Sequence, residues 1–199
     1  LPFEPSRHPH ISHIINDIFK YSGPPLEIDI KSSLYSAAGL GSSAALSNAM
    51  GAALQELVNP EENLDLVALA RMGHSAEANA QKGRASPTDT ATSALGGCIV
   101  VSGSSVPGTK HIFDSALETP EGSRTWSVGR VEIPKIEDVW LVLGFTGIGS
   151  PTGEMVEGVS ELLKSNPLKM AEIEAIGEIT SRGLSALSSG KMEEVGLAM

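Results

Sequence analysis

The sequence predicts an α+β fold, on three observations. Runs with strand character occupy 26–31, 98–101, 111–113, 128–133 and 139–145. Helical spacing dominates after residue 153, so strands and late helices segregate rather than alternate as in a regular βαβ array. Between a predicted strand and a predicted helix lies a run of small residues, 36–45, reading Ser-Ala-Ala-Gly-Leu-Gly-Ser-Ser-Ala-Ala. Its glycines let the backbone turn tightly and approach a ligand, and free N–H groups at a helix start attract anions.

Each element has its own signal. Residues 10–21 read as a helix because Ile11, Ile14, Ile15, Ile18 and Phe19 recur at three- and four-residue spacing. Gly23-Pro24-Pro25 ends it. Leu26, Ile28 and Ile30 alternate with polar residues, the pattern of a strand with one buried face. After the glycine-rich loop, Leu46, Ala49, Met50, Ala53, Leu54 and Leu57 form a helical stripe ending near Asn59-Pro60. Asn63 is the expected N-cap of the next helix, with Leu64, Val67, Ala68 and Met72 on its apolar face and an end near Ala80.

Residues 81–88 read as a loop and 89–95 as one or two helical turns. The apolar run 98–101 reads as a buried strand, while 102–107 and 118–123 are turn-rich. Gly147, Gly149, Pro151 and Gly153 reset the pattern. Met155, Val156, Val159, Leu162 and Leu163 then mark a helix. A longer helix spans 168–187 with a break near Gly183, and a last one begins near Lys191.

The 199 residues carry 14 basic and 24 acidic side chains, a net charge of −10. That balance argues against nucleic acid or an anionic membrane as partner. It does not exclude a nucleotide, because backbone N–H groups and a metal set the local field. Cys98 is the only cysteine, so no disulfide forms within the chain, and a cytoplasmic location is expected. No apolar run approaches the roughly 18 residues of a membrane span.

The loop at 36–45 has rivals among known phosphate loops. A Walker A loop needs a Gly-Lys-Ser/Thr ending, and no lysine lies between Lys31 and Lys82. The G-x-S-x-G nucleophile elbow is also absent. Gly39-Leu-Gly41-Ser-Ser-Ala44 fits the loose dinucleotide fingerprint. That fingerprint requires a second strand carrying an acid about 20 residues on, and 58–65 reads as a connection between helices. A tight turn packing a helix on a sheet is the plain alternative. Adjacent hydroxyls at Ser42 and Ser43 favour a phosphate and a magnesium ion, which prefers hard oxygen ligands.

Residues 39–45, Gly-Leu-Gly-Ser-Ser-Ala-Ala, resemble the second motif of the GHMP kinases (galactokinase, homoserine, mevalonate and phosphomevalonate kinases). Asp89-Thr-Ala-Thr-Ser93-Ala-Leu-Gly96-Gly97 resembles the D-x-A-x-S-x-x-G-G segment of the mevalonate kinase branch. Residues 142–156 are similar to the part that begins the second domain. The Ser86-Pro87-Thr88-Asp89 form, with Gly73, His74 and Glu77 upstream, looks most like the archaeal members.

The resemblance implies a two-domain GHMP kinase fold: a ribosomal-protein-like N-terminal α/β domain over 1–135, lacking its first strands, and the start of a ferredoxin-like C-terminal domain over 136–199, the whole incomplete at both ends. It implies ATP- and Mg²⁺-dependent phosphoryl transfer to the primary hydroxyl of mevalonate, a step of isoprenoid biosynthesis. The other readings are a different small-molecule GHMP kinase and a non-catalytic nucleotide-binding fragment.

Site residues follow by position. Backbone N–H groups of Ser36, Ala37, Ala38, Gly39, Leu40, Gly41, Ser42, Ser43, Ala44 and Ala45 would hold the ATP phosphates. Ser43 and Glu77 would ligate Mg²⁺, Ser42 would touch phosphate, and Asp89 would be the general base on the acceptor hydroxyl or its positioner. Thr152 would help close the substrate pocket. Expected partners are ATP and a small-molecule acceptor, with no nucleic acid and no membrane; a homodimer is allowed.

The remaining candidates have plainer readings. Asp89 could simply N-cap a helix, and Glu77 could be a surface acid. His74 reads as a packed histidine, and His8, His10 and His13 as surface residues ahead of a helix. Cys98 reads as a buried structural thiol, and Trp126 and Trp140 as core or rim packing.

Overall fold

The computed structural model describes residues 3–34, 38–119, 122–149 and 152–199. The chain divides into two compact units, Leu1–Arg130 and Val131–Met199.

The first unit begins with α1, Pro9–His13, which passes directly into a wider π-helical turn, Ile14–Ile18. Three helices follow: α2, Ser42–Val58, α3, Leu66–Ala80, and α4, Thr88–Leu95. The strands are β1, Cys98–Ser102, β2, Lys110–Thr119, and β3, Gly122–Val131, in the order β1-β3-β2. β2 and β3 pair antiparallel, with Ser115 opposite Trp126 and an irregularity between His111 and Phe113. The strands are longer than expected, taking in Glu118, Thr119, Gly122 and Ser123 of the stretch that reads as turn-rich.

Two apolar clusters hold this unit. Ile11 and Ile14 pack with Met50, Leu54 and Ala76, joining α1 and the π-turn to α2 and α3. Ala70, Ala91, Phe113 and Val128 join α3 and α4 to the hairpin. Burial of apolar area at roughly 25 cal/mol per Å² makes these clusters the main source of stability.

Several expectations need correction. The helix α3 is capped by Asp65 rather than Asn63: the Asp65 carboxylate accepts from the N–H groups of Val67 and Ala68. Leu64 and Ala68 are exposed; Leu69, Ala70, Gly73, His74, Ala76, Glu77 and Ala78 are buried instead. On α2 the buried face includes Ser47, Asn48 and Gly51, while Ala49 and Leu57 are exposed. The cause is close packing: a Cβ at Gly51 would meet Met72 Sδ at 2.7 Å.

The expected strand at 26–31 is not formed, and Leu26, Ile28 and Ile30 are exposed. Alternation marks a strand's two faces, but a strand also needs a neighbour for its N–H and C=O groups. Among the described residues none pairs with it.

In the second unit, 139–145 likewise forms no strand, and Trp140 is 88% exposed rather than packed. The helices are α5, Thr152–Ser165, α6, Met170–Ser188, preceded by a 3₁₀ turn at Pro167–Lys169, and α7, Met192–Ala198. α6 runs through Gly183 without the expected break. Among the described residues no helix is long and apolar enough to cross a membrane.

Candidate active site

The N-terminus of α2 is built by left-handed glycines. Gly39 has φ +71° and Gly41, the N-cap, has φ +66°. A non-glycine residue there costs about 1–2 kcal/mol. No side chain caps the helix, and its first loop-closing bond runs from Ala45 N–H to Gly41 C=O. The N–H groups of Ser42, Ser43 and Ala44 precede that bond and have no intrahelical acceptor. They form the positive end of the helix dipole, a favourable place for an anion.

Asp89 lies against this loop. A Cβ built on Gly41 would stand 3.6 Å from Asp89 Cβ and Cγ and 3.7 Å from Oδ2. The chain folds back across 48 positions to bring an acid beside the glycine turn. Asp89 is not an N-cap: the cap position of α4 is Pro87, and Asp89 is exposed in the first turn. An open groove of about 450 Å³ is lined by Gly39, Leu40, Gly41, Ala45, Asp89, Thr92 and Ser93. Thr92 and Ser93 were not assigned roles from sequence. Their spacing from Asp89, three and four residues along one helix, is the signal that puts them on its face.

The loop ahead of α4 is anchored by the buried His74. Its Nε2 is 3.2 Å from the Ala85 carbonyl and its Nδ1 is 3.0 Å from Ser115 Oγ. A carbonyl only accepts, so Nε2 carries the proton and Nδ1 accepts from the Ser115 hydroxyl. The ring also meets Trp126 edge-on at 5.4 Å. Burial lowers its pKa, opposed by the Ala85 bond and the charge of Glu77. A neutral His74 thus ties the loop ahead of α4 to α3 and β2.

Glu77 is no surface acid, being 5% exposed. Its Oε2 accepts from Gln81 Nε2 at 2.6 Å. Its Oε1 lies 3.3 Å from His10 Nε2, a charge contact too poorly aligned for a hydrogen bond. Burial raises its pKa, but the neighbouring His10, Ser43 and Gln81 side chains pull it below the usual value. Ser43 and Glu77 are therefore neighbours. His10 is not the surface residue expected: α1 packs its side chain onto α3 beside Glu77. No local pattern announces that contact, because it joins residues 67 positions apart. His13 is also engaged, with Asp17 and with Ser75.

A buried carboxylate with one oxygen lacking an aligned donor, beside a hydroxyl, is a hard-oxygen donor set. Two protein oxygens suit Mg²⁺, which keeps waters and takes substrate phosphate oxygens. Among the described residues no cluster of three or more His, Cys, Asp or Glu forms a complete metal cage.

Of the remaining predicted residues, Ala38, Leu40 and Ala44 lie in or beside the loop, with Ala44 buried. Ser36 and Ala37 lie outside the described residues. Thr152 opens α5 in the second unit. Cys98 is half-buried, and burial raises its thiol pKa, as suits an unreactive thiol.

Residues 10–97 match the family model of the GHMP kinases N terminal domain. Over these residues the chain is similar to the GHMP kinases. That match spans α1 to α4, including the glycine turn, Glu77 and Asp89. The chain is also similar to "Mevalonate kinase" of Pyrococcus furiosus, at 28% identity over 180 residues. The alignment covers 87% of this chain and 46% of that protein, so the chain spans about half the length of the relative it matches. No solved structure matches the chain. The mixed architecture with a small antiparallel sheet agrees with part of a GHMP kinase fold.

Proposed function

We propose that the protein is an ATP- and Mg²⁺-dependent small-molecule kinase that phosphorylates the primary hydroxyl of mevalonate, giving 5-phosphomevalonate, in the cytoplasm. The observation that carries this reading is the Asp89 carboxylate lying against Gly41 at the open end of α2. Phosphoryl transfer needs little covalent chemistry from the protein; it needs alignment and charge stabilisation. The N–H groups of Ser42, Ser43 and Ala44 supply fixed donors for phosphate oxygens, with residues 38–41 shaping the turn. Asp89 accepts a hydrogen bond from the acceptor hydroxyl, aims its oxygen at the terminal phosphate and takes its proton late in the transfer. Glu77 and Ser43 would hold Mg²⁺, which when bound neutralises charge developing on the phosphates. Thr152 is proposed as a substrate-binding residue. The similarity to an archaeal mevalonate kinase supports the acceptor.

A coupled ADP-release assay over a panel of acceptor alcohols tests the proposal. Turnover is expected on mevalonate and to require Mg²⁺. Turnover on homoserine or phosphomevalonate but not mevalonate would overturn the acceptor, and nucleotide binding with no turnover on any alcohol would overturn the catalytic reading.

A further inference from the structure

A buried polar side chain, Asn48, links the glycine-turn helix to the acid. It stands on α2, 4% exposed. Its Nδ2 donates to the backbone carbonyl of Thr90 at 2.8 Å, and Thr90 is the residue after Asp89. The bond is buried and spans 42 positions. It ties the helix that presents the phosphate N–H groups to the turn of α4 that carries Asp89.

The third helix makes room for this link. A Cβ at Gly73, on α3, would collide with Asn48 Oδ1 and stand 3.2 Å from Thr90 Cγ2. Asn48 Oδ1 itself is buried without a hydrogen-bond partner. A leucine of similar shape would fill the space with no such orphaned oxygen, but it would take the amide donor from the buried Thr90 carbonyl. Packing alone therefore does not account for an amide here; the donated bond does.

We propose that Asn48 is a positioning residue, its amide setting the Asp89 carboxylate against the phosphate-binding end of α2. This rests on the reading of Asp89 as the acid on the acceptor side. Asn48 touches neither nucleotide nor acceptor; it fixes the distance between the groups that do. Displacements of about 1 Å in such an alignment cost on the order of 100-fold in rate.

The test pairs Asn48→Ala with Gly73→Ala in the full chain, so that the new methyl takes up the volume the amide leaves. Each single variant should lower the melting temperature, by a cavity or by a clash, and the pair should recover it. Turnover should not recover: kcat should stay at least about 10-fold low with the KM for ATP unchanged. In an Asp89→Asn background the pair should cost no further rate, since coupled residues are not additive. Return of kcat together with the melting temperature would overturn the proposal, as would a KM for ATP rising in step with the loss. Asn48→Leu is the second variant and should show the same split between kcat and KM. If neither the pair nor Asn48→Leu folds, Asn48 serves the core and the proposal fails. If Asp89→Asn keeps its rate, the reading of Asp89 fails and takes this inference with it; if Asp89→Asn is dead while the pair is fully active, the positioning role alone is wrong.

Discussion

Helices α2, α3 and α4 hide polar side chains, while segment 139–145 shows apolar ones to solvent. Ser47, Asn48, His74, Glu77 and Thr90 are all buried in the helical trio. Trp140, Leu141, Val142 and Leu143 are all two-thirds exposed or more. The trio meets the cost of burying polar groups with specific partners: Asn48 with Thr90, His74 with Ser115 and Ala85, Glu77 with Gln81. The stretch 140–143 joins no strand of the described sheet. Hydrophobicity alone did not decide which residues went inside; the availability of a complementary surface did.

That contrast can be broken by substitution. The largest effect is expected at the trio's open end. Asp89→Asn should cut turnover about 10³-fold, within the range for general acid–base groups, and leave nucleotide affinity intact; steady-state rates and nucleotide titration check both. Leu54→Ala, in the cluster with Ile11, Ile14 and Met50, should cost about 2–5 kcal/mol in a denaturant titration. Gly41→Ala forces a Cβ onto φ +66° and should cost about 1–2 kcal/mol, with weaker nucleotide binding as well.

A pH prediction follows from His74. Its folded pKa is lowered, mainly by burial. The unfolded chain therefore takes up a proton more readily than the folded one. The contribution is complete above the unfolded value of about 6.5 and is lost as pH falls below it toward the folded pKa. Urea midpoints compared at pH 7.5 and pH 5.5 should fall at the lower pH, and His74→Phe should flatten that difference. Glu77 acts in a separate window: its folded pKa is also lowered, so its contribution persists above the unfolded carboxylate value and is lost only in stronger acid. At the small end, Val142→Thr, at a side chain 87% exposed, should change stability by less than about 0.5 kcal/mol. A larger loss there would mean the segment is covered in solution, and the contrast would close.

Much of the candidate site was legible in the sequence, for local reasons. Gly39 and Gly41 announce a left-handed turn, hydroxyls follow at once, and a helical stripe begins within a few residues. Asp89 was marked by its own short helix. The fold was less legible at its unpaired segments: Leu26, Ile28 and Ile30 alternate as a strand should, yet alternation does not name the neighbour a strand requires. The buried face of α2 was misjudged for the same kind of reason. Ala49 and Leu57 look more apolar than Ser47 and Asn48, but α3 and α4 approach on the side of the latter.

The sequence by itself determined where helices begin, where the backbone must turn left-handed and which short segments carry hydroxyl and carboxylate chemistry, because those properties depend on residues within a turn or two of each other. Only the tertiary structure decided that His10 would sit beside Glu77, that Asn48 would hold Thr90, and that Asp89 would lie against Gly41. Those outcomes depend on surfaces contributed by residues far apart in the chain, and burying a polar group costs less where such a partner arrives.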